Sequence, residues 1–304
     1  TGGEDEDPTQ AQVDVASGTT PYSLGFRKAY KITNGNQTSG AGADDRVIVH
    51  TTYESQDIAN SGWNYTSSSG FITLSYWAKS SVAQTFYLAL TTHDGSSYRY
   101  ATPITFTSAD TWTKFTHKIP GNSNLQFDQD AGRGLQMYWT LFRGTNTTDN
   151  SFTINQWAAY NGSIRYPDIT STWYTTNDAT FELTGVQLEV GDTATSFEHR
   201  TYGDELRRCQ RYYEETYVMS DAGNSYVRVP VLWKVEKRAA GTPVSYAKRP
   251  DGVGTGAANK SYQASGERDT ACNYSWTGGT MVFVTGYASN TDCFSNVRVD
   301  VGEF

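Results

Sequence analysis

Apolar and polar residues alternate with a period of two through much of the first two-thirds of the chain. In the segment 71–80, FITLSYWAKS, every second residue from Ile72 onward shares one face, and in 134–142, GLQMYWTLF, the same holds from Leu135 onward. Successive side chains of a β-strand point to opposite faces, whereas a helix needs a period of about 3.6 residues. The pattern therefore predicts strands, and it does so at 46–54, 71–80, 85–92, 112–120, 134–142 and 181–190.

Gly, Asn, Asp and Ser fill the intervals between these strands, which recur about every 10 to 20 residues. A parallel α/β sheet would need a helix between successive strands, and no helical pattern occupies these intervals. The sequence therefore predicts an all-β protein in which residues 12–200 form a jelly-roll sandwich of two sheets.

The strand at 181–190, FELTGVQLEV, changes phase in its middle. Its apolar residues occupy odd-numbered positions before Gly185 and even-numbered positions after it. One extra residue in a strand turns the following side chains to the other face, and glycine is common at such bulges. We predict a β-bulge at Gly185.

A helix follows that strand. Apolar residues recur at helical spacing in DELRRCQRYYEE, and Asp204 suits the N-cap or the first turn of a helix. The pattern predicts a helical junction of about three turns within 201–215.

Alternation returns in the last part of the chain, for example in SYVRVPVLWKVE at 225–236 and VRVDV at 297–301. These short strands predict a small β domain at 216–304. A core of that size often leans on neighbouring domains or on sister chains for burial.

Length and charge narrow the function. A chain of 304 residues is long enough for two domains, and its net charge of −8 with scattered Lys and Arg argues against a general nucleic-acid binder. No apolar run reaches the length of a membrane helix, so we expect no membrane insertion. The three cysteines allow at most one internal disulfide, for which Cys272 and Cys293 are the favoured pair.

Catalytic and metal signatures are missing from the sequence. The four histidines are isolated, and neither an HExxH motif nor a G-x-S-x-G elbow occurs. The pair Asp44 and Asp45 fits a turn better than a calcium site, which needs about six to eight oxygen ligands. We expect a protein that is not an enzyme and has no cofactor or metal.

One catalytic alternative stays open at this stage. Two carboxylates about 5 to 10 Å apart are enough for glycan cleavage. Loop acids could supply such a pair, although they more often form turns; the candidates are Asp128, Asp130, Asp149 and Asp168.

Three segments predicted to be loops carry Trp and Tyr. Exposed aromatic rings stack on sugar rings while short polar side chains bond to the hydroxyls, which makes these segments candidates for glycan binding. The alternative is that the rings anchor their loops against the sandwich. The candidate ligand contacts are Trp63, Tyr65, Trp157, Tyr160, Tyr166, Trp173 and Tyr174.

The run LTGVQLEVGDTATSFEHRTYGDELRRCQRYYEE, at 183–215, closely resembles a signature of tail-fibre and related appendage proteins of tailed bacteriophages, including those of cyanobacteria. FITLSYWAKSS, WTKFTHKIPG and the terminal VRVDVGEF resemble further elements of that family more loosely. The resemblance extends from about residue 20 to the last residue, and it is specific only at 186–213.

That resemblance implies a jelly roll like that of a carbohydrate-binding module, followed by a small C-terminal β domain. It also implies a structural or receptor-binding component of the virion, usually a homotrimer. Members of the family occupy several places on the particle, so its position on the virion is left open.

A trimer gives the helical junction a role in assembly. Its arginines would meet acids of a neighbouring chain, among them Glu205, Glu214 and Glu215, while its apolar residues pack inward. The alternative is an interdomain helix whose charges are solvated. The predicted interface residues are Leu206, Arg207, Arg208, Cys209, Arg211, Tyr212 and Tyr213.

The sequence thus predicts a trimeric tail-fibre component, located on the virion, that contacts other virion proteins and binds host cell-surface polysaccharide. Two virion alternatives are a capsid-decorating or fibre-connecting protein without a ligand, and a glycan-degrading tail spike. A bacterial carbohydrate-binding module or hydrolase is disfavoured because a catalytic constellation is missing and the QRYY junction is present.

Overall fold

The structure is a computed structural model, and it describes residues 5–220, 226–239, 244–248, 260–261, 275–276, 278–285 and 293–300. The chain divides into two compact units, Thr1–Glu198 and His199–Phe304, next to the boundary expected at residue 200. Each unit is described here by itself.

The first unit is built from two antiparallel five-stranded sheets, which confirms the all-β prediction. The first sheet contains, in spatial order, β1 (Thr9–Asp14), β2 (Lys28–Thr33), β10 (Thr180–Val190), β4 (Phe71–Ser80) and β7 (Thr113–Pro120). The second contains β3 (Arg46–Glu54), β8 (Arg133–Arg143), β5 (Thr85–Thr92), β6 (Tyr98–Thr105) and β9 (Ala158–Ala159). The chain passes between the sheets after β2, β3, β4, β6, β7 and β9, which is the connectivity of a jelly roll.

Short helices occupy some of the connections of the first unit. They are α1 (Thr20–Ser23), α2 (Ser55–Ala59) and α3 (Thr172–Thr175), with a turn of 3₁₀ helix at Thr145–Thr147. Pro21 lies in the first turn of α1, where its missing N–H removes no hydrogen bond.

Aromatic rings from both sheets form the core of the sandwich. Tyr76 of β4 meets Trp139 of β8 edge-on, with ring centroids 5.6 Å apart and an interplanar angle of 88°. Phe86 of β5 meets Phe181 of β10 in the same way at 5.6 Å. Edge-to-face pairs of this kind contribute about 0.5–1.5 kcal/mol beyond the burial of their area. These contacts fix how the two sheets face each other.

The β-bulge predicted at Gly185 is confirmed. The pairing of β10 with β4 shifts between Thr184 and Gln187, and Gly185 has a φ of +62°. A Cβ atom at this position would lie 2.6 Å from Cζ of Phe26, whose ring packs on the outer face of the first sheet. The backbone conformation and the Phe26 ring therefore both require glycine here.

The bulge also determines how the segment after β10 is held. Gln187 and Glu189 point away from the core because the bulge has shifted their phase. Gln187 Oε1 accepts a hydrogen bond from Glu198 N at 2.7 Å, and Glu189 Oε2 accepts one from Thr195 N at 3.1 Å. Phe197 then meets Phe26 edge-on at 4.9 Å. Side chains of β10 thus hold the following loop, residues 191–198, against the end of that strand.

The second unit begins with α4 (Tyr202–Gln210) and continues with two small sheets. One contains, in spatial order, β11 (Tyr213–Ser220), β17 (Cys293–Asp300), β13 (Val244–Lys248) and β14 (Lys260–Ser261). The other contains β12 (Tyr226–Leu232), β16 (Gly279–Thr285) and β15 (Ser275–Trp276). Cys272 and the side chain of Cys293, the predicted disulfide pair, lie outside what the structure describes.

The helix is shorter than the three turns expected. Thr201 is its N-cap and Asp204 lies in its first turn, where Thr201 Oγ1 accepts a hydrogen bond from Asp204 N at 3.3 Å. The helix ends at Gln210, so Tyr213 belongs to β11 instead. No helix among the described residues is long and apolar enough to span a bilayer.

A buried ion pair joins the end of this helix to the second unit's own strands. Lys237 Nζ lies 2.6 Å from Glu214 Oε2, and both side chains are covered. Lys237 also donates to the carbonyl oxygens of Gln210 and Val235, and Glu214 accepts from Lys234 N. A buried charge is stable only when its hydrogen bonds are satisfied, as they are here. Glu214 is therefore already paired within its own chain, which corrects the expectation that it faces a neighbouring chain.

We predict that Gly185→Ala destabilises the first unit by about 2–4 kcal/mol, because a left-handed φ costs alanine about 1–2 kcal/mol and the clash with Phe26 adds to that. Urea unfolding monitored by tryptophan fluorescence measures the loss. The control is Gly18→Ala, where φ is +86° and no atom lies within 4 Å of the added Cβ. Equal losses in the two variants would show that the Phe26 contact contributes nothing.

Candidate functional site

The outer face of the second sheet is the candidate site. Because alternate residues of β8 point into the core, Gln136 and Tyr138 point outward. Strand pairing places His50 of β3 opposite Tyr138, and it places Thr91 of β5 between Gln136 and Arg99 of β6. The register of four strands therefore brings these side chains together on one surface.

A loop covers part of this face. The residues next to Tyr138 across the sheet are Ala89 and Ala101, whose small side chains leave a hollow. The ring of Tyr166 packs into that hollow and is fully buried. Its hydroxyl oxygen accepts a hydrogen bond from Thr140 Oγ1 at 2.6 Å. Tyr166 thus fixes the loop that leads from β8 to α3 onto the sheet.

Arg99 lies at the centre of the part of the face that the loop leaves uncovered, where aromatic rings surround its side chain. Its guanidinium lies 4.2 Å from the ring centroid of Tyr166, 5.1 Å from that of Tyr138 and 6.0 Å from that of Tyr160. Nη1 donates to Thr91 Oγ1 at 3.0 Å. Only 4% of the residue is exposed, and Nε is buried without an acceptor. The charge is stabilised by aromatic rings rather than by a carboxylate.

Gln136 holds a hydrogen-bonded network beside Arg99. Its Oε1 accepts from the hydroxyl of Tyr138 and lies 3.1 Å from His93 Nε2. Its Nε2 lies 3.1 Å from His50 Nδ1. These contacts are consistent with one tautomer for each histidine: His93 donates from Nε2, and His50 accepts at Nδ1 and carries its proton on Nε2. The orientation of every polar group in the network is thereby fixed.

Both histidines are neutral at neutral pH. Burial lowers the pKa of His93 to about 4, and the positive charge of Arg133 contributes to that shift. Burial also lowers the pKa of His50, again with a contribution from Arg133. For Tyr138 the pKa is raised, chiefly by burial. At neutral pH the network therefore consists of uncharged donors and acceptors.

Tyr160 supplies the most exposed ring of the site. It follows β9, its backbone N donates to Ser97 O at 2.9 Å, and 37% of the residue is exposed. The guanidinium of Arg165 lies 5.6 Å from its ring centroid. Together with the partly exposed Tyr138, it gives the site aromatic surface next to fixed polar groups.

The loop aromatics predicted from the sequence have different positions. Five of them are buried in the first unit: Trp63, Trp157, Tyr166, Trp173 and Tyr174. Trp157 Nε1 donates to Pro120 O, and Trp173 Nε1 donates to Thr180 O, so these indoles anchor their loops. Tyr65 packs edge-on against Phe127 at 5.0 Å. Loop anchoring, the alternative weighed for these rings, describes all of them except Tyr160.

The loop acids bond within or close to their own loops. Asp130 Oδ1 accepts from Gly132 N at 2.8 Å, and Asp149 Oδ1 accepts from Ser151 N at 2.7 Å. Asp168 accepts from Thr148 and Asn150, and Asp128 from Gln126. Each acid therefore has a structural role as a turn or loop anchor.

The acidic pair at 44–45 is more than a turn. Asp45 Oδ2 accepts from Gly42 N at 2.7 Å and from the hydroxyl of the buried Tyr174 at 2.9 Å. Asp44 Oδ1 accepts from Asn146 Nδ2 at 2.7 Å. Within the described ranges, no group of three or more His, Cys, Asp or Glu side chains is arranged to hold a metal ion.

The predicted assembly residues lie on or just after α4. Leu206, Arg207, Arg208 and Cys209 are exposed, whereas Leu206 and Cys209 were expected to pack inward. None of the residues of α4 is buried in the structure. Arg211 and Tyr212 are half-buried, and Tyr213 is exposed.

The sequence alone did not reveal the residues of the site. His50, Gln136 and Tyr138 occur at outward positions of strands that the sequence predicted, whereas Arg99 lies on β6, which was not predicted, and His93 directly follows β5. A signal was present in YLALTT and YRYAT, where Ala89 and Ala101 interrupt otherwise bulky outward positions. Their adjacency depends on strand register, which the alternation does not specify.

No protein-family model matches the chain, and neither does any curated protein. Among solved structures, the chain is similar to one described as "CBM4 structure and function", with 13% identity and a TM-score of 0.29 over 60% of this chain and 78% of that chain. It is also similar to a protein from Bacteroides thetaiotaomicron described as sugar binding, with 10% identity and a TM-score of 0.29 over 62% and 84% of the two chains.

A third similar structure is the enzymatically active domain of bacteriophage CBA120 tailspike protein 4. Its identity is 9% and its TM-score 0.30, over 61% of this chain and 19% of that chain. At these identities and TM-scores the similarities define no family for the chain.

We expect His93 to titrate near pH 4 by NMR, and Arg133→Gln to raise that midpoint because it removes a nearby positive charge. The control is Lys28→Gln, an equal change of charge in an exposed ion pair on the first sheet, which should leave the midpoint unchanged. A midpoint near the ordinary value of about 6.5 would contradict the buried, neutral assignment.

Proposed function

We propose that the first unit binds carbohydrate on the outer face of its second sheet. The observation that carries this proposal is the placement of the Tyr160 and Tyr138 rings beside the network of Gln136, His50 and His93. Sugar rings have apolar faces that stack on aromatic planes and hydroxyls that both donate and accept hydrogen bonds. The face offers both kinds of contact.

The rigidity of the network favours binding of a neutral hydroxyl-rich ligand. The amide of Gln136 is held by three partners, so its orientation changes little when a ligand arrives. Groups that are ordered before binding lose little conformational entropy on binding. A shallow face of this kind binds one saccharide unit weakly, and several copies acting together would raise the affinity.

We propose further that the protein is a non-enzymatic component of a phage virion, a tail fibre, that binds host cell-surface polysaccharide during adsorption. The resemblance of 183–215 to phage appendage proteins supports this role. The roles of the loop acids as turn anchors support a binding function over cleavage. Its partners would be other virion proteins and further copies of the chain.

A capsid-decorating or fibre-connecting protein without a ligand is the alternative. The half-buried, pre-oriented polar network on an exposed face favours the binding role, because a purely structural surface has no need of it.

We predict that Tyr160→Ala lowers affinity for a bound polysaccharide about tenfold, because one stacking ring contributes on the order of 1.4 kcal/mol. Affinity electrophoresis against a panel of bacterial surface polysaccharides measures this change, and Tyr138→Ala should act in the same direction.

The matched control is Tyr30→Ala. Tyr30 lies on the first sheet and is exposed to 37%, as is Tyr160. It should leave affinity unchanged. Equal losses in the Tyr30 and Tyr160 variants would place binding elsewhere, and an absence of binding across the panel would favour the ligand-free structural role.

We also propose that the chain forms a homotrimer through α4. Leu206 is 40% exposed and Tyr202 is 82% exposed, and the basic side chains of the helix are exposed beside them. Apolar groups next to arginine are common at protein interfaces. The family resemblance supplies the number of copies.

Sedimentation of the chain should give about three times the 33.6 kDa of one copy. Leu206→Asp should dissociate the trimer, because it would bury an unpaired charge in the interface. Leu24→Asp, at an exposed leucine of the first unit, should not. A mass of one chain at micromolar concentration would contradict the proposal.

A further inference from the structure

Arg99 has no counter-ion within the part of the chain that the structure describes. Among the ion pairs formed by described residues, none includes Arg99, and its Nε has no acceptor. A guanidinium offers five N–H donors, and here Nη1 bonds to the neutral hydroxyl of Thr91. Burying an uncompensated charge is costly, so a protein that keeps one beside an exposed face has a use for it.

Other arginines surround the same face. Arg143 is buried and its Nε donates to the hydroxyl of Thr147, whereas Arg165 lies against Tyr160 and its Nε donates to Gly162 O. Burial lowers the pKa of Arg143, and the positive charges of Arg165 and Arg99 contribute. The positive charge of Arg133 likewise lowers the pKa of His50 and of His93. The fields of these cations therefore overlap.

Two acids close to this face, Asp94 and Asp168, bond to neutral donors. Asp94 accepts hydrogen bonds from Ser55 Oγ and Asp128 N, and Asp168 accepts from Thr148 and Asn150. Neither belongs to an ion pair with an arginine among the residues that the structure describes. In a chain whose net charge is −8, the described arginines of this face thus have no carboxylate paired with them, although the charge of Asp94 still acts to raise the pKa of His93.

We propose that the saccharide bound on this face is acidic and that Arg99 recognises its anionic oxygen group, a carboxylate or a sulfate ester. This inference rests on the carbohydrate-binding function proposed above. The planar guanidinium suits both groups because it presents parallel N–H donors to two oxygens at once. The rings of Tyr138 and Tyr160, which lie beside Arg99, would stack on the sugar, and the neutral network would bond to its hydroxyls.

The test compares polymers that differ only in charge. Binding of polygalacturonate is measured against its fully methyl-esterified form, and binding of dextran sulfate against dextran, by isothermal titration calorimetry at physiological salt. The first pair tests a carboxylate and the second a sulfate. We expect an acidic polymer of one pair to bind at least tenfold more tightly than its uncharged counterpart.

Arg99→Gln should abolish that preference, because it removes the charge and keeps a donor for Thr91. The matched control is Arg27→Gln. Arg27 also lies over a tyrosine ring, 4.0 Å from the centroid of Tyr22, but it is located between α1 and β2, on the first sheet's side. It makes the same change in net charge and should leave the preference intact.

A second variant covers the case in which Arg99→Gln fails to fold, as judged by its thermal unfolding. Arg133→Gln changes a charge at the rim and should reduce the preference for the acidic polymer by about two- to fivefold.

The outcomes separate the two proposals. If uncharged polymers bind as well as acidic ones and Arg99→Gln changes nothing, the acidic ligand is overturned and carbohydrate binding stands. If Arg27→Gln and Arg99→Gln reduce binding of the acidic polymer equally, the attraction is a non-specific charge effect and the acidic site is overturned. If no polysaccharide binds at any salt concentration, carbohydrate binding itself fails.

Discussion

The aromatic contacts between the two sheets determine the strand register of the first unit. Tyr76 meets Trp139, and Phe86 meets Phe181, across the layer between the sheets. Because rings of this size fill the inward positions, the strands cannot shift register without leaving cavities. Every outward side chain is placed as a consequence, including the row in which Gln136, Thr91 and Arg99 become neighbours. The candidate site thus depends on the core, because the core packing permits a single strand register.

Six strands of the first unit and the bulge could be predicted from the sequence because both depend on local alternation, whereas β1, β2, β6 and β9 were not predicted. The switch from odd to even apolar positions at Gly185 marks the bulge without reference to any other strand. The loop rings could not be placed in that way. Trp173 and Tyr160 occur in equally polar surroundings in the sequence, yet one is buried and the other exposed. What separates them is a distant partner, since Trp173 N bonds to Gln84 and the Trp173 indole to Thr180.

The second unit shows a different limit of the sequence. Glu214 has the surroundings of a surface charge, in the run RYYEET, but it is buried against Lys237. The pairing depends on a turn that brings Val235 and Lys237 back to the end of α4. The charge pattern therefore predicts the exposed surface of α4 correctly. It wrongly predicts an exposed charge at Glu214, four residues after the helix ends. Burial of one lysine converts an expected intermolecular contact into an internal one.

The loop between β8 and α3 divides its anchoring and its contacting roles between different residues. Tyr166 fills the hollow above Ala89 and Ala101, whereas Tyr160 directly follows the edge strand β9 and is exposed. Substitution of the Tyr160 side chain therefore leaves the Tyr166 anchor in place. Because anchoring and exposure fall on different residues, the chemistry of the surface at 160–165 can change while the packing of Tyr166 and of the sandwich beneath it stays the same.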